Sequence, residues 1–276
     1  QFVQDPTPPP LPFVTHFPAC VLFADISGFT PLCEACAKQG SRGVEVLTSH
    51  LNEYFGRMIN LIHNHGGDIV KFAGDALVAI FPTSDPRGLG YSCLLASQCA
   101  LAMQEHLHQY EADGCLLTLH IGIGAGEIAG MVVGGVANRV EFLIAGQPMD
   151  QVAACEAAAK SGEVFISYEA ASTIKTYIDL SVDHVSNSSK KATIKKKKID
   201  LNLINPATVA AGSSPGTSSA HGHGHGNNKD AGAPEPLIFR LDRVTDPIAL
   251  PPSVSLPHFK SMKSLISPFV QPAVLG

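Results

Sequence analysis

Apolar and polar positions alternate along this chain in blocks that switch between a period of two and a period near 3.6. Cys20 to Ala24 is an unbroken apolar run and reads as a first strand. Leu32 to Gly40 reads as a short helix, broken by Gly40-Ser41-Arg42-Gly43. Val44, Leu47, Leu51, Tyr54, Phe55, Met58, Ile59 and Ile62 then recur at helical spacing and predict a long amphipathic helix, ended by Gly66-Gly67. Asp68 to Phe81 reads as a β-hairpin with Gly74-Asp75 at its tip. Thr83 to Gly90 is a loop, and Cys93 to Tyr110 a second amphipathic helix. Leu116 to Gly124 is a strand, Gly124-Ala125-Gly126 a turn, and Glu127 to Val133 its return. Arg139–Ala145 and Glu163–Ser167 are strands, Gln147–Lys160 and Tyr168–Tyr177 helices, and Leu180–Val185 an edge strand. Leu237 to Leu241 is the last strand.

Composition changes that picture in three places. Residues 1–16 are a proline-rich, extended lead-in. The stretch 186–236 is poor in apolar residues, so it cannot repay its ordering entropy, and reads as a disordered insertion between the last two strands of one domain. His221, His223 and His225 within it alternate with glycine and read as filler rather than as a metal site. Residues 246–276 form a proline-punctuated linker. The domain itself therefore spans 17–245.

The formal charge of −5 hides an asymmetry. Six lysines fall within Lys190–Lys198, which leaves 13 cationic residues against 24 acidic ones elsewhere. An acidic body with one basic run argues against a general nucleic-acid binder. No apolar run reaches eighteen residues, so no membrane span is expected. Seven cysteines without framework spacing suggest a reducing, cytoplasmic setting, and the lone Cys33-x-x-Cys36 has no second pair to complete a zinc site.

The candidate chemistry sits at two strand ends. Val21 to Ala24 stops at Asp25, and Ile26-Ser27-Gly28-Phe29-Thr30 follows as a polar turn into a helix, where backbone N–H groups can face an anion. Asp75 occupies the hairpin tip. Two carboxylates on neighbouring strand ends suit a pair of Mg²⁺ ions, which take oxygen ligands and substrate phosphates.

These two stretches, FADISGFT and GGDIVKFAGDALVAIF, resemble the catalytic domain of class III nucleotidyl cyclases, and most closely the first catalytic half of the soluble, bicarbonate-responsive adenylyl cyclases. The resemblance covers about Phe17 to Tyr168. It implies an α+β, palm-like (ferredoxin-like) fold with a mixed, largely antiparallel sheet covered by helices. It implies that two halves pair head-to-tail with the active site between them, converting ATP to cyclic AMP and pyrophosphate. By the same likeness, Asp25 and Asp75 hold two Mg²⁺ or Mn²⁺ ions, with the backbone carbonyl of Ile26. Ser27, Gly28, Phe29 and Thr30 bind phosphate. Lys71 stands at a base-reading position that bicarbonate-responsive halves use for bicarbonate.

Other positions depart from the family pattern. Leu143 replaces the base-reading acid, Asp150 the ribose-binding asparagine, and Ala154 the transition-state arginine. Ala153 replaces the arginine that would join Lys71 around bicarbonate, which puts bicarbonate regulation in doubt. Glu127 stands where the likeness to membrane-type halves puts a phosphate-binding arginine. A homodimer would thus lack base recognition and charge stabilisation. The expected role is the metal-binding half of an adenylyl cyclase that needs a second half, in the same or another chain, within a larger assembly. The alternatives are an inactive cyclase-like scaffold and a guanylyl cyclase half.

Overall fold

The computed structural model describes residues 11–83, 88–134, 139–188, 191–198 and 237–250. In chain order the elements are β1 (Phe13–Ser27), α1 (Phe29–Ala37), α2 (Ser41–Asn64), β2 (Asp68–Ala73), β3 (Ala76–Pro82), α3 (Gly88–Leu107), β4 (Tyr110–Ala112), β5 (Cys115–Gly134), β6 (Val140–Ala145), α4 (Gln147–Ala158), β7 (Val164–Ser167), α5 (Tyr168–Thr173), β8 (Ile178–Ser188), β9 (Lys191–Lys198) and β10 (Ile238–Val244). The strands form one sheet in the order β2-β3-β1-β5-β7-β10-β8-β9, with β4 and β6 also paired to β5. Among these pairings only β5–β7 is parallel. This is the mixed, mostly antiparallel α+β architecture that the family resemblance implies.

The sheet has two unlike faces, because successive residues of a strand point to opposite sides. On one face Leu22, Leu77, Ile121 and Ile123 pack with Tyr54, Met58 and Ile62 of α2 and with Cys99 and Met103 of α3. This is the main core. On the other face Val21, Val78, Ile80 and Ile128 meet Val152 of α4, with Phe23, Val70, Phe142, Ile144 and Met149 only partly buried around them. Asp25 belongs to this second, more open face, in step with Val21 and Phe23.

Four expectations are corrected. Gly124-Ala125-Gly126 is not a turn: β5 runs unbroken through it, paired with β1 from Thr118 to Val132. The glycines serve as a seat for α4, since a Cβ on Gly122 would lie 2.6 Å from the Val152 carbonyl oxygen and one on Gly124 2.7 Å from that of Pro148. Leu180–Val185 is not an edge, because β8 lies between β10 and β9. The lysine run is a strand, β9, paired with β8 from Lys191 to Lys198. An outer ladder satisfies backbone groups without requiring apolar side chains, so a lysine-rich composition does not forbid it. Finally, β1 begins at Phe13, inside the supposed lead-in. The remainder of the insertion, 199–236, and the tail from 251 lie outside the described residues.

A buried cation ties the far half of the sheet together. Arg240 on β10 is 6% exposed. It bonds Glu163 at 3.1 Å, Asp242 at 3.2 Å and the Ser181 hydroxyl at 2.7 Å. Each guanidinium nitrogen that leaves water there has a partner, as burial of a charge requires.

Candidate active site

The site is built at the end of the β1–β3 ladder. Asp25 pairs with Ala76, the residue after Asp75, so the hairpin tip falls beside the end of β1. The proximity is electrostatic as well as geometric. Burial raises the Asp25 pKa above its ordinary value; His120 opposes this, Asp75 and Glu156 add to it as neighbouring negative charges, and the Ile26 backbone N–H opposes it. Ile26 sends its side chain into the core, where it is 2% exposed, so only its backbone can face the site.

Directly after Asp25 the chain turns into α1. Gly28 has φ 100° and caps the helix, and a Cβ there would lie 2.3 Å from the Leu116 carbonyl oxygen, so glycine is required. Pro31 sits in the first turn, where a missing N–H costs nothing. The amides of Phe29 and Thr30 begin the helix without intrahelical acceptors of their own, beside the Asp25–Asp75 pair. Lys71 lies opposite Val78 on β2, which puts it on the same face as Asp25.

Two residues that the sequence reading did not single out complete this end. His120 on β5 pairs across from Asp25. Its Nε2 lies 3.3 Å from Asp25 Oδ2 and 3.0 Å from Glu156 Oε1. Glu156 reaches it from α4, which runs along the glycine seat with Pro148 near Gly124 and Val152 near Gly122. The only signal in the sequence is period two: His120, Gly122 and Gly124 share a face, and two glycines on one strand face mark a close neighbour.

The positions that depart from the resembled pattern are spread over β6 and α4. Leu143 pairs with Met131, eleven residues along β5 from His120, or about 36 Å at strand rise. Asp150 is in the first turn of α4, and Ala154 one turn further on. Glu127 does not face the Asp25 end. It is seven residues from His120, about 23 Å along the strand, and its carboxylate lies 3.6 Å from His16. Of the two β5 residues, His120 and not Glu127 stands beside Asp25.

The profile of the adenylate and guanylate cyclase catalytic domain matches residues 14–204. The chain belongs to this family. Rabbit adenylate cyclase type 10 is 34% identical over 162 residues, covering 58% of this chain and 10% of that protein. The human protein of the same name is 33% identical over the same length. The chain thus spans about a tenth of the length of these curated relatives. Among solved structures, the adenylyl cyclase CyaB from P. aeruginosa matches with a TM-score of 0.53 and 25% identity, over 68% of this chain and 96% of that one. The guanylyl cyclase Cya2 matches with 0.54 and 20% identity, over 86% and 97%, which speaks for the fold alone. No helix among the described residues of this cyclase domain is long and apolar enough to cross a membrane.

The cyclase domain's own donors fit a divalent cation. Asp25 and Asp75 are like charges held close together, a placement that a cation between them would relieve. The ligands are hard oxygens, as Mg²⁺ and Mn²⁺ prefer.

Proposed function

We propose that this chain is the metal-binding half of an adenylyl cyclase that makes cyclic AMP and pyrophosphate from ATP, completed by a second cyclase half. One observation carries the reading. Asp25, Asp75 and the start of α1 converge at one end of the sheet, while Leu143, at the other end of β5, cannot read a base. One chain therefore offers metal and phosphate groups at one end and lacks recognition groups at the other. The half-buried Phe23, Val70, Phe142, Ile144 and Met149 on the open face supply apolar surface for the second half. ATP rather than GTP follows the names of the adenylate cyclases at 33–34% identity.

In this reading Asp25, Asp75 and the Ile26 carbonyl hold two Mg²⁺ or Mn²⁺ ions. Bound there, the ions would acidify the ribose 3′-hydroxyl and neutralise the triphosphate. The amides of residues 27–30 orient phosphate oxygens. The 3′-oxygen then attacks the α-phosphorus in line, its proton passes to solvent, and pyrophosphate leaves. His120, its Nε2 3.3 Å from Asp25 Oδ2, orients that carboxylate. The partner half supplies base, ribose and charge-stabilising groups that Leu143, Asp150 and Ala154 do not. Ala153 brings no second cation to Lys71, so bicarbonate control is not part of this reading.

The test is cyclic AMP production with Mn²⁺ and ATP, by this chain alone and after mixing with a cyclase half carrying the missing base-reading acid, asparagine and arginine. The chain alone should be inactive and the mixture active. Asp25→Asn or Asp75→Asn in the mixture should each cut turnover at least roughly a hundredfold, and the double variant should be little worse, since the two act as one unit. Turnover by the chain alone, or a mixture indifferent to Asp25→Asn, would refute the assignment.

A further inference from the structure

Glu156 has no part in the chemistry above, yet it shares a single atom with Asp25. Both carboxylates approach the same nitrogen, His120 Nε2, at 3.3 and 3.0 Å. One N–H can point well at only one acceptor. A metal ion, by contrast, draws several donors toward one point. Zn²⁺ binds imidazole nitrogen and carboxylate oxygen at about 2.0–2.2 Å, so the donors of a tetrahedral site stand about 3.3–3.5 Å apart. The spacing here is close to that, and all three donor atoms lie within 4.8 Å of one another.

We propose that Asp25, His120 and Glu156 form a transition-metal site of zinc type, distinct from the all-oxygen Asp25–Asp75 pair but sharing Asp25 with it. The ligand chemistry separates the two. An imidazole with two carboxylates and one open position is a zinc-like donor set, whereas Mg²⁺ favours oxygen ligands and keeps its waters. The framework is also preorganised. Asp25 and His120 face each other on paired strands, and Glu156 is held by a helix whose backbone rests on Gly122 and Gly124. Side chains on rigid elements lose little freedom when they converge on an ion. Zinc held here takes Asp25 away from the catalytic cations, so zinc antagonises Mg²⁺ or Mn²⁺. That consequence rests on the function proposed above; the binding itself does not.

The experiment uses the full 276-residue chain with His221, His223 and His225 replaced by asparagine, so that the histidine-glycine repeat takes no metal. Zn²⁺ affinity is measured by competition with a chromophoric chelator under reducing conditions, and Co²⁺ spectra report the donors. The expected result is a site that Co²⁺ fills with visible d–d bands and no thiolate charge-transfer band. His120→Ala and Glu156→Gln should each weaken Zn²⁺ at least tenfold, because even outer-shell changes around a metal cost 10–100-fold. Asp75→Asn should leave it unchanged. Zinc should raise the melting temperature of the parent and not of Glu156→Gln, a shape-preserving variant that carries the test if His120→Ala fails to fold. Zinc affinity indifferent to both His120 and Glu156 would overturn the proposal and leave a histidine paired to two carboxylates. Equal weakening by Asp75→Asn would also overturn it, by assigning the ion to the catalytic pair. Intact zinc binding by the parent, with Asp25→Asn keeping full turnover in the mixture with the second half, would sink the cyclase reading and spare the metal site. The reverse pattern does the opposite.

Discussion

Gly122→Ala adds one methyl group at the seam between β5 and α4, and it tests how that seam positions the site. The new Cβ would lie 2.6 Å from the Val152 carbonyl oxygen, 3.0 Å from the Cys155 Cβ and 3.1 Å from the Glu156 nitrogen. Two of those three neighbours are backbone atoms and cannot swing away as a side chain tip would. Ordinary contact begins near 3.4 Å, so α4 must retreat by about 0.8 Å or β5 must bend. Overpacking of this kind costs about 1–3 kcal/mol. For a domain of this size each kcal/mol lowers the melting temperature by about 2–4 °C, so a cost of about 2 kcal/mol predicts a fall of about 4–8 °C. The retreat also carries Glu156 off His120, lengthening a contact that is 3.0 Å at present. Thermal unfolding followed by circular dichroism reads the first effect, and Zn²⁺ affinity the second. Gly56→Ala is the control. It lies inside α2 with nothing within 4 Å of its added Cβ, and should stabilise by up to about 1 kcal/mol through helix propensity. A Gly122→Ala protein that melts at or above the parent temperature would refute the close seating of α4.

Further outcomes follow from the same structure. In metal-free protein, Asp25→Asn should raise stability at neutral pH. The folded-state pKa of Asp25 lies above its ordinary value, so the ionised carboxylate destabilises the fold at pH above that raised value. The penalty vanishes below the unfolded pKa, and urea midpoints of the two proteins should therefore converge as pH falls. Arg240→Ala should cost about 3–5 kcal/mol in urea unfolding, because it strands Glu163 and Asp242 beside a buried site; a loss below 1 kcal/mol would show that the network is solvated. Lys71→Ala in the reconstituted pair should leave much of the turnover, and its abolition would mean that this half reads the base.

The sequence disclosed the parts of the site that are local and hid those that depend on pairing. Asp25 and Asp75 each sit where an apolar run meets a turn, and those runs with Gly74-Asp75 between them were enough to place the two carboxylates near strand ends. His120 is 95 positions from Asp25, and Glu156 a further 36; only the β1–β5 register and the path of α4 bring them together. Gly124-Ala125-Gly126 misled because glycine serves two purposes. It permits turns, and it also removes side chains where another backbone approaches, and local sequence does not say which. The lysine run misled for a related reason. Low hydrophobicity argues against a buried strand but not against an outer ladder, whose hydrogen bonds ask nothing of the side chains. The main core was easiest to read at α2, whose buried Tyr54, Met58 and Ile62 recur at helical spacing; α3, read as amphipathic, is buried on every residue from Ser92 to Ser97 and carries no such stripe.

β5 also acts as a ruler. It is one uninterrupted strand of 20 residues, with His120 near one end and the partner of Leu143 near the other. Inserting a single residue between them would exchange inward and outward faces for everything downstream, while the Asp25–His120 end stayed as it was. Inserting two would restore the faces but lengthen the span by about 7 Å. In a head-to-tail pair each half must therefore match the other's β5 length if both ends are to close together. Under the function proposed above, in which the Leu143 end lacks its chemistry, only the opposite end enforces the match, and engineered swaps of the second half should tolerate length changes at the Leu143 end first.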